Sequence, residues 1–191
     1  MPIHVTSEIG ALEQVLLHRP GAELEQLVPG ELERLLFDDI PYLKAAQQEH
    51  DAFAALLRQN GTEVVYLEDL MAQTLGSDAQ VRRRFIRQFI DEGGPNARHY
   101  QPALYEYLTA LEDRELVRRT MTGVSMEEFL PPEKRGALVS LTRDSHRFVL
   151  DPIPNLYFTR DPFACIGHGV NLNAMYSPTR RRETIYGQYI L

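Results

Sequence analysis

The sequence predicts a mixed α/β protein in which an all-helical segment interrupts an α/β frame. A strand, a helix and a second strand follow one another between residues 11 and 67, which is the order of an α/β unit. Residues 72–135 show helical periodicity without a strand pattern, and strand patterns return in the last part of the chain. We therefore expect the frame at residues 1–71 and 146–191, and the helical insertion at residues 72–145.

Turn residues delimit the first α/β unit. Residues 11–18 (ALEQVLLH) predict a strand, which an Arg-Pro-Gly turn ends, and residues 29–36 predict a short helix. A longer helix is expected to begin near Pro41 and to end at Gly61, before a β-branched strand at residues 62–67. The apolar stripe predicted for this helix consists of Leu43, Ala46, Phe53, Ala54 and Leu57.

The middle of the chain has the spacing and the stop signals of several short helices. Ser77 and Gln80 fit a capping box before the first of them, and Gly93-Gly94-Pro95 ends it. Ser125 and Glu128 fit a second capping box. The apolar residues at helical spacing are Val81, Phe85, Ile86, Phe89, Ile90, Ala103, Leu104, Tyr107, Leu108, Leu111, Leu116, Val117 and Met121.

The last part of the chain returns to strands and ends in a helical pattern. Residues 147–150 predict a strand, and residues 161–173 predict a hairpin with residues 167–169 at its tip. Ser177 and the proline after it have the types expected at the N-cap and first position of a helix. Because the sequence stops at Leu191 inside an amphipathic pattern, we expect apolar surface to be left unpaired there.

Composition excludes several classes of protein. The net charge of −7 argues against nucleic-acid binding, which needs a basic surface to displace counterions from phosphates. The sequence has no run of 18 apolar residues that would indicate a membrane span, and the N-terminus lacks the pattern of a secretory signal. A single cysteine excludes an internal disulfide framework. We expect a cytoplasmic protein with neither nucleic-acid nor membrane partners.

A stretch rich in proline and aromatic residues, residues 151–162 (DPIPNLYFTRDP), is the densest group of candidate site residues. Its prolines indicate a rigid loop, and Pro162 favours an extended backbone at Asp161. A carboxylate beside Asn155 and an aromatic ring can seat a planar cation, because carboxylate and guanidinium groups form two parallel hydrogen bonds. The sequence leaves open the simpler alternatives, in which Asp161 pairs with Arg160 or caps a turn.

Three consecutive arginines, Arg180, Arg181 and Arg182, follow the predicted N-cap Ser177. In the first turn of a helix each would oppose the macrodipole by about 0.3–1 kcal/mol, and Glu183 can screen one of them. Such a cluster is a candidate site for an anionic group such as a substrate carboxylate. The alternative at this point is a solvated basic patch.

The other reactive residue types give no strong candidate. Cys165 lies between Ala164 and Ile166 in a predicted strand, where we expect an inert buried thiol. No two histidines are four residues apart, and no His-Glu-x-x-His pattern or glycine-rich phosphate loop is present, so no metal site is predicted. His50 is expected near the apolar face of its helix, and His168 at the exposed tip of the hairpin.

Several strings of this sequence together resemble the arginine deiminase family of the guanidino-group-modifying superfamily. The most specific is residues 154–162 (PNLYFTRDP), followed by the hairpin, Met175-Tyr176 and Arg180. The resemblance extends from the first strand to the last residue, and the predicted helical insertion falls where that family has its helical subdomain. Earlier matching strings are Ser7-Glu8-Ile9-Gly10, Leu12-Glu13, Val15-Leu16-Leu17-His18-Arg19-Pro20-Gly21 and Leu35-Leu36-Phe37-Asp38-Asp39.

The resemblance implies both a fold and a reaction. The fold is an α/β-propeller of pseudo-fivefold ββαβ modules (the pentein fold), of which this chain would supply part, with a helical bundle inserted near the N-terminus. The reaction is the hydrolysis of L-arginine to L-citrulline and ammonia without a cofactor. In it a cysteine thiolate attacks the guanidinium carbon, and a histidine protonates the leaving ammonia and then activates water against the thiouronium intermediate.

The resemblance also implies a role for each candidate residue. Asp161 is the catalytic carboxylate that grips the substrate guanidinium, and Arg180 binds the substrate carboxylate. Asn155 and Phe158 line the pocket, and Leu36 lies on a loop over it. The nucleophile, the histidine and the second carboxylate of the family lie in later modules, and the one cysteine of this sequence does not match the nucleophile. We therefore expect this chain alone to be inactive.

Two alternatives to a part of an arginine deiminase remain. One is a naturally shortened, non-catalytic homologue that acts as a binding or interaction module. The other is a related enzyme that acts on another guanidino compound, such as a methylated arginine or an amidino donor. The partners expected from the main interpretation are L-arginine and a protein surface, either a second copy of the chain or whatever covers the apolar face of an incomplete propeller.

Overall fold

The computed structural model describes residues 3–129 and 148–191, and within them the chain is a mixture of helices and three two-stranded sheets. This confirms the predicted α/β class. Arg147, the first residue of a predicted strand, and residues 130–145, the end of the predicted helical insertion, lie outside the described residues.

The first α/β unit forms as predicted, with its two strands side by side. Strand β1 pairs in parallel with β2, and Gln14 lies opposite Glu63. Parallel strands need a crossover, which the helix between them provides. The elements are β1 (Gln14–Leu17), 3-10 turns at Leu24–Gln26 and Pro29–Glu31, α1 (Leu32–Leu35), α2 (Leu43–Gln59) and β2 (Glu63–Tyr66).

Glycine at position 61 ends α2 as the sequence indicates. Gly61 has a φ of 84°, and its N–H donates to the carbonyl of Arg58 at 3.0 Å. The next N–H, of Thr62, donates to the carbonyl of Leu57 at 3.1 Å. These bonds satisfy carbonyls that the helix end would otherwise leave open, and the left-handed conformation between them favours glycine.

A block of short helices follows β2 without an intervening loop. It comprises α3 (Leu67–Ser77), α4 (Ala79–Asp91), α5 (Pro95–His99), α6 (Gln101–Thr109), α7 (Asp113–Thr122), strand β3 (Val124–Ser125) and α8 (Met126–Phe129). The prediction of no strand between residues 72 and 135 was wrong, because β3 pairs with β4 across the end of this block. A two-residue strand has no periodicity of its own, so only its distant partner defines it.

One of the two capping boxes was placed one residue too early. The hydroxyl of Ser77 donates to the carbonyl of Thr74 at 2.8 Å, which makes Ser77 the last residue of α3. Asp78 is the N-cap of α4 and accepts from the N–H of Gln80 at 2.6 Å. The second capping residue is confirmed, since Ser125 accepts from the N–H of Glu128 at 3.1 Å.

The last part of the chain contains the predicted hairpin and a terminal helix. It comprises β4 (Phe148–Leu150), β5 (Phe163–Ile166), β6 (Gly169–Leu172), a 3-10 turn at Pro178–Arg180 and α9 (Glu183–Ile190). Strands β5 and β6 are antiparallel, and two residues, Gly167 and His168, connect them. The backbone of Val5 pairs with Gly167 through bonds of 2.7 and 2.8 Å, so the N-terminal segment lies against the hairpin tip.

Most of the buried apolar side chains form one cluster that joins the helical block to α9 and to the segment after β4. A smaller cluster lies beneath the segment between β1 and α2, and its buried members are Leu24, Leu27 and Leu35. The buried members of the large cluster in α4 and α9 include Phe85, Phe89, Ile185 and Tyr186. No helix within residues 3–129 and 148–191 is both long and apolar enough to cross a bilayer.

A buried hydrogen bond between two side chains shapes the turn after β1. The carboxylate of Glu23 lies 2.8 Å from Nε2 of His18, and both side chains are almost fully buried. The same carboxylate accepts from the N–H of Gly21 at 2.7 Å. Because a buried carboxylate needs such partners, these contacts hold the Arg-Pro-Gly turn in place.

The predicted apolar stripe of α2 is only partly buried. Ala54 is fully buried, but Phe53 is 51% exposed and Leu56, one turn further, is 57% exposed. Helical spacing predicts which residues share a face but not what covers that face, and in the described part of the chain α2 presents these rings and methyl groups to solvent.

Histidine 50, on the inner side of α2, makes stability depend on pH. Within the described residues neither of its ring nitrogens has a hydrogen-bond partner, and its ring packs 6.0 Å from that of Tyr66. Burial lowers its pKa below the usual value, against the opposing effect of Asp51. Since the unfolded chain then takes up a proton more readily than the folded one, stability falls as pH drops through about 6.5.

We expect His50→Leu to flatten this acid-induced loss of stability. The difference in free energy of unfolding between about pH 7 and about pH 5, measured by urea denaturation, should be smaller in the variant than in the unaltered chain. His99→Leu is the matched control, because His99 is exposed. An equal pH dependence in the unaltered chain and His50→Leu would contradict the assignment.

Candidate functional site

The loop between β4 and β5 carries three of the predicted site residues on successive turns. The N–H of Phe158 donates to the carbonyl of Asn155 at 3.0 Å, and the N–H of Asp161 donates to the carbonyl of Phe158 at 3.1 Å. The hydroxyl of Thr159 donates to the carbonyl of Leu16 in β1 at 2.9 Å. These bonds anchor the loop on the first sheet.

The amide of Asn155 connects this loop to the segment that carries Leu36. Asn155 is 4% exposed, and its Nδ2 donates to the carbonyl of Leu35 at 3.0 Å. Leu36 follows with a φ of 64°, a left-handed backbone conformation that residues other than glycine rarely adopt, and its side chain is half exposed. Asn155 and Leu36 are thus brought together, with Asn155 holding the backbone beside Leu36.

An ion-pair network fixes the same segment to the start of the loop. Nη1 and Nη2 of Arg34 donate to the carboxylate of Asp151 at 2.7 and 3.0 Å, and Arg34 also binds Glu31. The hydroxyl of Thr179 donates to the carbonyl of Arg34 at 2.9 Å. This segment therefore contacts both the loop after β4 and the turn before α9.

Asp161 and Arg180 form the centre of the candidate site. Nη1 of Arg180 donates to Oδ2 of Asp161 at 2.9 Å, and the Arg180 guanidinium lies over the ring of Phe158 with its carbon 5.8 Å from the ring centroid. The Asp161 side chain is 47% exposed and that of Arg180 is 14% exposed. The structure thus brings a reachable carboxylate, a fixed cation and an aromatic face together.

Neither simple alternative for Asp161 describes its contact. Arg160 turns away and donates to Glu8 at 2.7 Å. The carboxylate of Asp161 binds the guanidinium of Arg180 instead, a residue 19 positions later. A carboxylate that holds a guanidinium group beside an aromatic ring is the chemistry predicted for this position, although here the guanidinium belongs to the chain itself.

The predicted placement of the three arginines in the first turn of a helix was wrong. Ser177 precedes a 3-10 turn and makes no side-chain capping bond, and α9 begins only at Glu183. Arg180 enters the site and Arg181 is exposed, whereas Arg182 is buried. The three side chains therefore have three different environments, which the run of arginines could not reveal.

Arg182 has a structural role beneath the site. Its Nη2 donates to the carbonyl of Asp151 at 2.8 Å, and its guanidinium carbon lies 4.9 Å from the ring centroid of Phe89. Burial lowers its pKa below the usual value. Through these contacts α9 is held to both the helical block and the start of the site loop.

Glu183 is the site residue that sequence reasoning missed. Its carboxylate is fully buried and accepts from Nε and Nη2 of Arg180, both at 2.8 Å. Burial acts to lower the pKa of Arg180, but the hydrogen bonds and charges of Glu183 and Asp161 outweigh it and raise that pKa. The one available signal was the spacing of three residues, which is typical of an ordinary surface pair on a helix.

Cys165 and His168, the other reactive residues of the hairpin, have different environments. Cys165 is half buried in β5, and burial raises the pKa of its thiol, which opposes the thiolate form that a nucleophile needs. His168 is exposed at the hairpin tip, stacked on His4. Among the described residues no group of three or more His, Cys, Asp or Glu side chains could hold a metal ion.

Comparison with known proteins gives a consistent result over almost the whole chain. The family model described as arginine deiminase matches residues 33–191. The chain is 56% identical over 189 residues to an arginine deiminase of Treponema denticola, and 54% identical over 192 residues to one of Streptococcus pyogenes. These alignments cover 98% and 99% of this chain but 46% of each relative. The chain thus spans under half the length of the curated relatives it matches.

Proposed function

The chain belongs to the arginine deiminase family, and from that we propose that it forms the substrate-recognising part of an enzyme that hydrolyses L-arginine to L-citrulline and ammonia. In this proposal Asp161 grips the substrate guanidinium and Arg180 binds the substrate carboxylate. Asn155 and Phe158 line the pocket, and Leu36 lies over it. The observation that carries the proposal is the contact of Asp161 with a guanidinium group over the Phe158 ring.

The environments of the two charged groups suit these two roles. Asp161 is half exposed, so a ligand can reach its carboxylate without crossing protein. Arg180 is largely buried and held by Glu183, so its cation is fixed before a ligand arrives. Ligand groups that meet fixed partners lose less entropy on binding, which favours a ligand with a guanidinium at one end and a carboxylate at the other.

The bond-breaking steps need groups of a different character. A thiolate forms a bond to the guanidinium carbon, ammonia leaves with a proton from a histidine, and water then releases citrulline and restores the thiol. Cys165 is the one cysteine of this chain, and the raised pKa of its thiol disfavours the thiolate. We therefore propose that the chemistry is carried out by residues this chain does not supply.

We propose further that the sheets belong to an α/β-propeller of pentein type, with residues 1–71 and 146–191 in the catalytic domain and residues 72–145 in a helical insertion. The parallel β1–β2 pair with its α2 crossover and the β5–β6 hairpin are the parts expected of ββαβ modules. The buried side chains of α3 to α7 pack against one another, as expected of a helical bundle, in a cluster that also includes residues of α9 and of the segment after β4.

The proposed function is tested by titrating the chain with L-arginine in a calorimeter and assaying the same sample for citrulline. We expect weak binding of arginine, no comparable binding of lysine, and no citrulline above the blank. Lysine is the control because its ammonium carries the same charge without the planar fork. Turnover by the chain would contradict the assignment of chemistry to other residues, and equal binding of lysine would contradict the guanidinium site.

Exposed apolar groups also suggest a protein partner, which we propose is a second copy of the chain or the rest of the propeller. Phe53 and Leu56 on α2 and Ile166 on the hairpin are all more than half exposed. A parallel sheet of two strands is small for independent stability. Sedimentation of the chain should reveal concentration-dependent association, and a clean monomer at all concentrations would count against it.

A further inference from the structure

A buried carboxylate lies behind the candidate site and holds the arginine proposed to bind the substrate carboxylate. Glu183, the first residue of α9, has a fully buried side chain whose two oxygens accept from Nε and Nη2 of Arg180. A carboxylate removed from water needs compensating donors, and Arg180 supplies both. Arg180 and Glu183 therefore act as one unit, because removal of either group would leave the other charge in an apolar environment without its partner.

We propose that Glu183 is the positioning residue that makes this site selective for ligands with a carboxylate, by fixing the guanidinium plane of Arg180. This rests on the proposed function, in which Arg180 binds the carboxylate of arginine. Glu183 itself contacts Arg180 and lies behind it, so its effect on the ligand passes through that side chain.

The hydrogen bonds of Arg180 show what remains for a ligand. A guanidinium has five N–H bonds. Among the described residues, two of these bonds go to Glu183 and one goes from Nη1 to Asp161, so within this part of the chain Nη1 and Nη2 each have one further N–H bond to offer. Two N–H bonds on one guanidinium are what a carboxylate accepts in parallel. Because Glu183 takes Nε and one bond of Nη2, it sets the direction in which the remaining bonds point.

Replacing Glu183 by glutamine keeps the shape but removes this control. A glutamine amide offers one acceptor oxygen, and its NH2 group would face an N–H of Arg180, donor against donor. The guanidinium is then free to rotate, and ligand binding carries the entropic cost of ordering it. A ligand without a carboxylate makes no favourable contact with Arg180, so its affinity should not fall in this way.

The test compares arginine with agmatine, its analogue without the carboxylate, on the unaltered chain and on Glu183→Gln. We expect the ratio of arginine to agmatine affinity to fall about tenfold in the variant, the loss typical of a charge-assisted hydrogen bond. Glu115→Gln, which alters a Glu–Arg pair on α7 at 3.4 Å, is the matched control and should leave the ratio unchanged. An unchanged ratio in folded Glu183→Gln overturns the proposal.

A double-mutant cycle separates positioning from a general effect on folding. If Glu183 acts through Arg180, Glu183→Gln should have no further effect on the ratio in an Arg180→Gln background. An equal effect in both backgrounds would overturn the proposal. If the unaltered chain binds neither ligand, the proposed function itself fails and this inference with it, whereas binding without a change of ratio removes the inference alone.

A measurement on the unaltered chain covers the case in which Glu183→Gln does not fold. The Nε–H signal of Arg180 in a 15N NMR spectrum, identified by its loss in Arg180→Lys, should exchange slowly with solvent because Glu183 holds that bond in a buried place. Exchange as fast as that of an exposed arginine, such as Arg181, would overturn the proposal.

Discussion

Asp161→Asn is expected to weaken the binding of arginine by about tenfold or more. Asparagine keeps the shape of the side chain but removes the charge and one of the two oxygens that a guanidinium fork requires. The carboxylate is 47% exposed, so solvent screening places the effect near the lower end of the range for charge-assisted bonds. Calorimetric titration of the unaltered chain and the variant measures it directly.

The control for Asp161→Asn is Asp51→Asn, which breaks a similar pair elsewhere on the surface. Asp51 accepts from Nε and Nη2 of Arg19 at 2.7 and 2.8 Å, and both side chains are substantially exposed. This change should leave arginine binding as it is. Equal affinity of Asp161→Asn and the unaltered chain would mean that Asp161 does not hold the ligand.

A second variant, Arg180→Gln, distinguishes ligand binding by Asp161 from a purely structural role of Asp161 as the partner of Arg180. Arg180 donates to Asp161 and so competes with any guanidinium ligand for that oxygen. If Asp161 is the guanidinium site, Arg180→Gln should leave agmatine binding equal or tighter, because the competitor is gone. Loss of agmatine binding in Arg180→Gln would indicate that Asp161 and Arg180 only support each other.

Sequence reasoning predicted the site best where residues lie close together in one loop. Asn155, Phe158 and Asp161 are three residues apart, and the proline-rich string around them allows few conformations, so the string itself predicts their joint position. Arg180 was reached through the resemblance to a family. Its contact with Asp161 spans a hairpin, and local sequence carries no information about how a hairpin folds back.

The parts that could not be predicted depend on long-range packing. Glu183 looks like an ordinary surface partner of Arg180, and only the burial of α9 reveals that its carboxylate is fully enclosed. Phe53 shares the helical spacing of Ala54 and Leu57, yet Ala54 is fully buried and Phe53 is half exposed. Helical periodicity predicted α4, α6 and α7, and Gly93-Gly94-Pro95 marks the end of α4, but it did not predict α3, and β3 is defined by its pairing with β4.

Gly123→Ala, which adds a single methyl group, is expected to cause a larger loss of stability than the same substitution at Gly94. Gly123 ends α7 with φ 87° and ψ 170°, a backbone conformation that residues other than glycine rarely adopt. A Cβ there would lie 2.7 Å from the backbone nitrogen of Pro152 and 2.8 Å from the carbonyl oxygen of Leu150. Backbone strain of about 1–3 kcal/mol and a similar cost of overpacking together predict a loss of about 2–6 kcal/mol.

Gly94 provides a control that separates these two causes. Its φ of 94° and ψ of −177° are close to those of Gly123, but a Cβ there would meet no atom of the described residues within 4 Å. Gly94→Ala should therefore show the backbone strain alone, about 1–3 kcal/mol, in urea denaturation. Equal losses in the two variants would mean that the close approach of residues 150–152 to Gly123 contributes nothing.

Gly123→Ala is also expected to affect the candidate site, because the strand that Gly123 contacts leads directly into the site loop. The N–H of Ile153 donates to the carbonyl of Met121 at 2.8 Å, so the end of α7 and the start of the loop are bonded to each other. A methyl group that pushes Pro152 away must shift or break this bond, and Asn155 follows within three residues. Gly123→Ala should thus lower arginine affinity as well as stability under conditions where it remains folded, whereas Gly94→Ala should lower stability alone. Unchanged affinity in folded Gly123→Ala would show that the loop is positioned by its bonds to β1 and α1 rather than by α7.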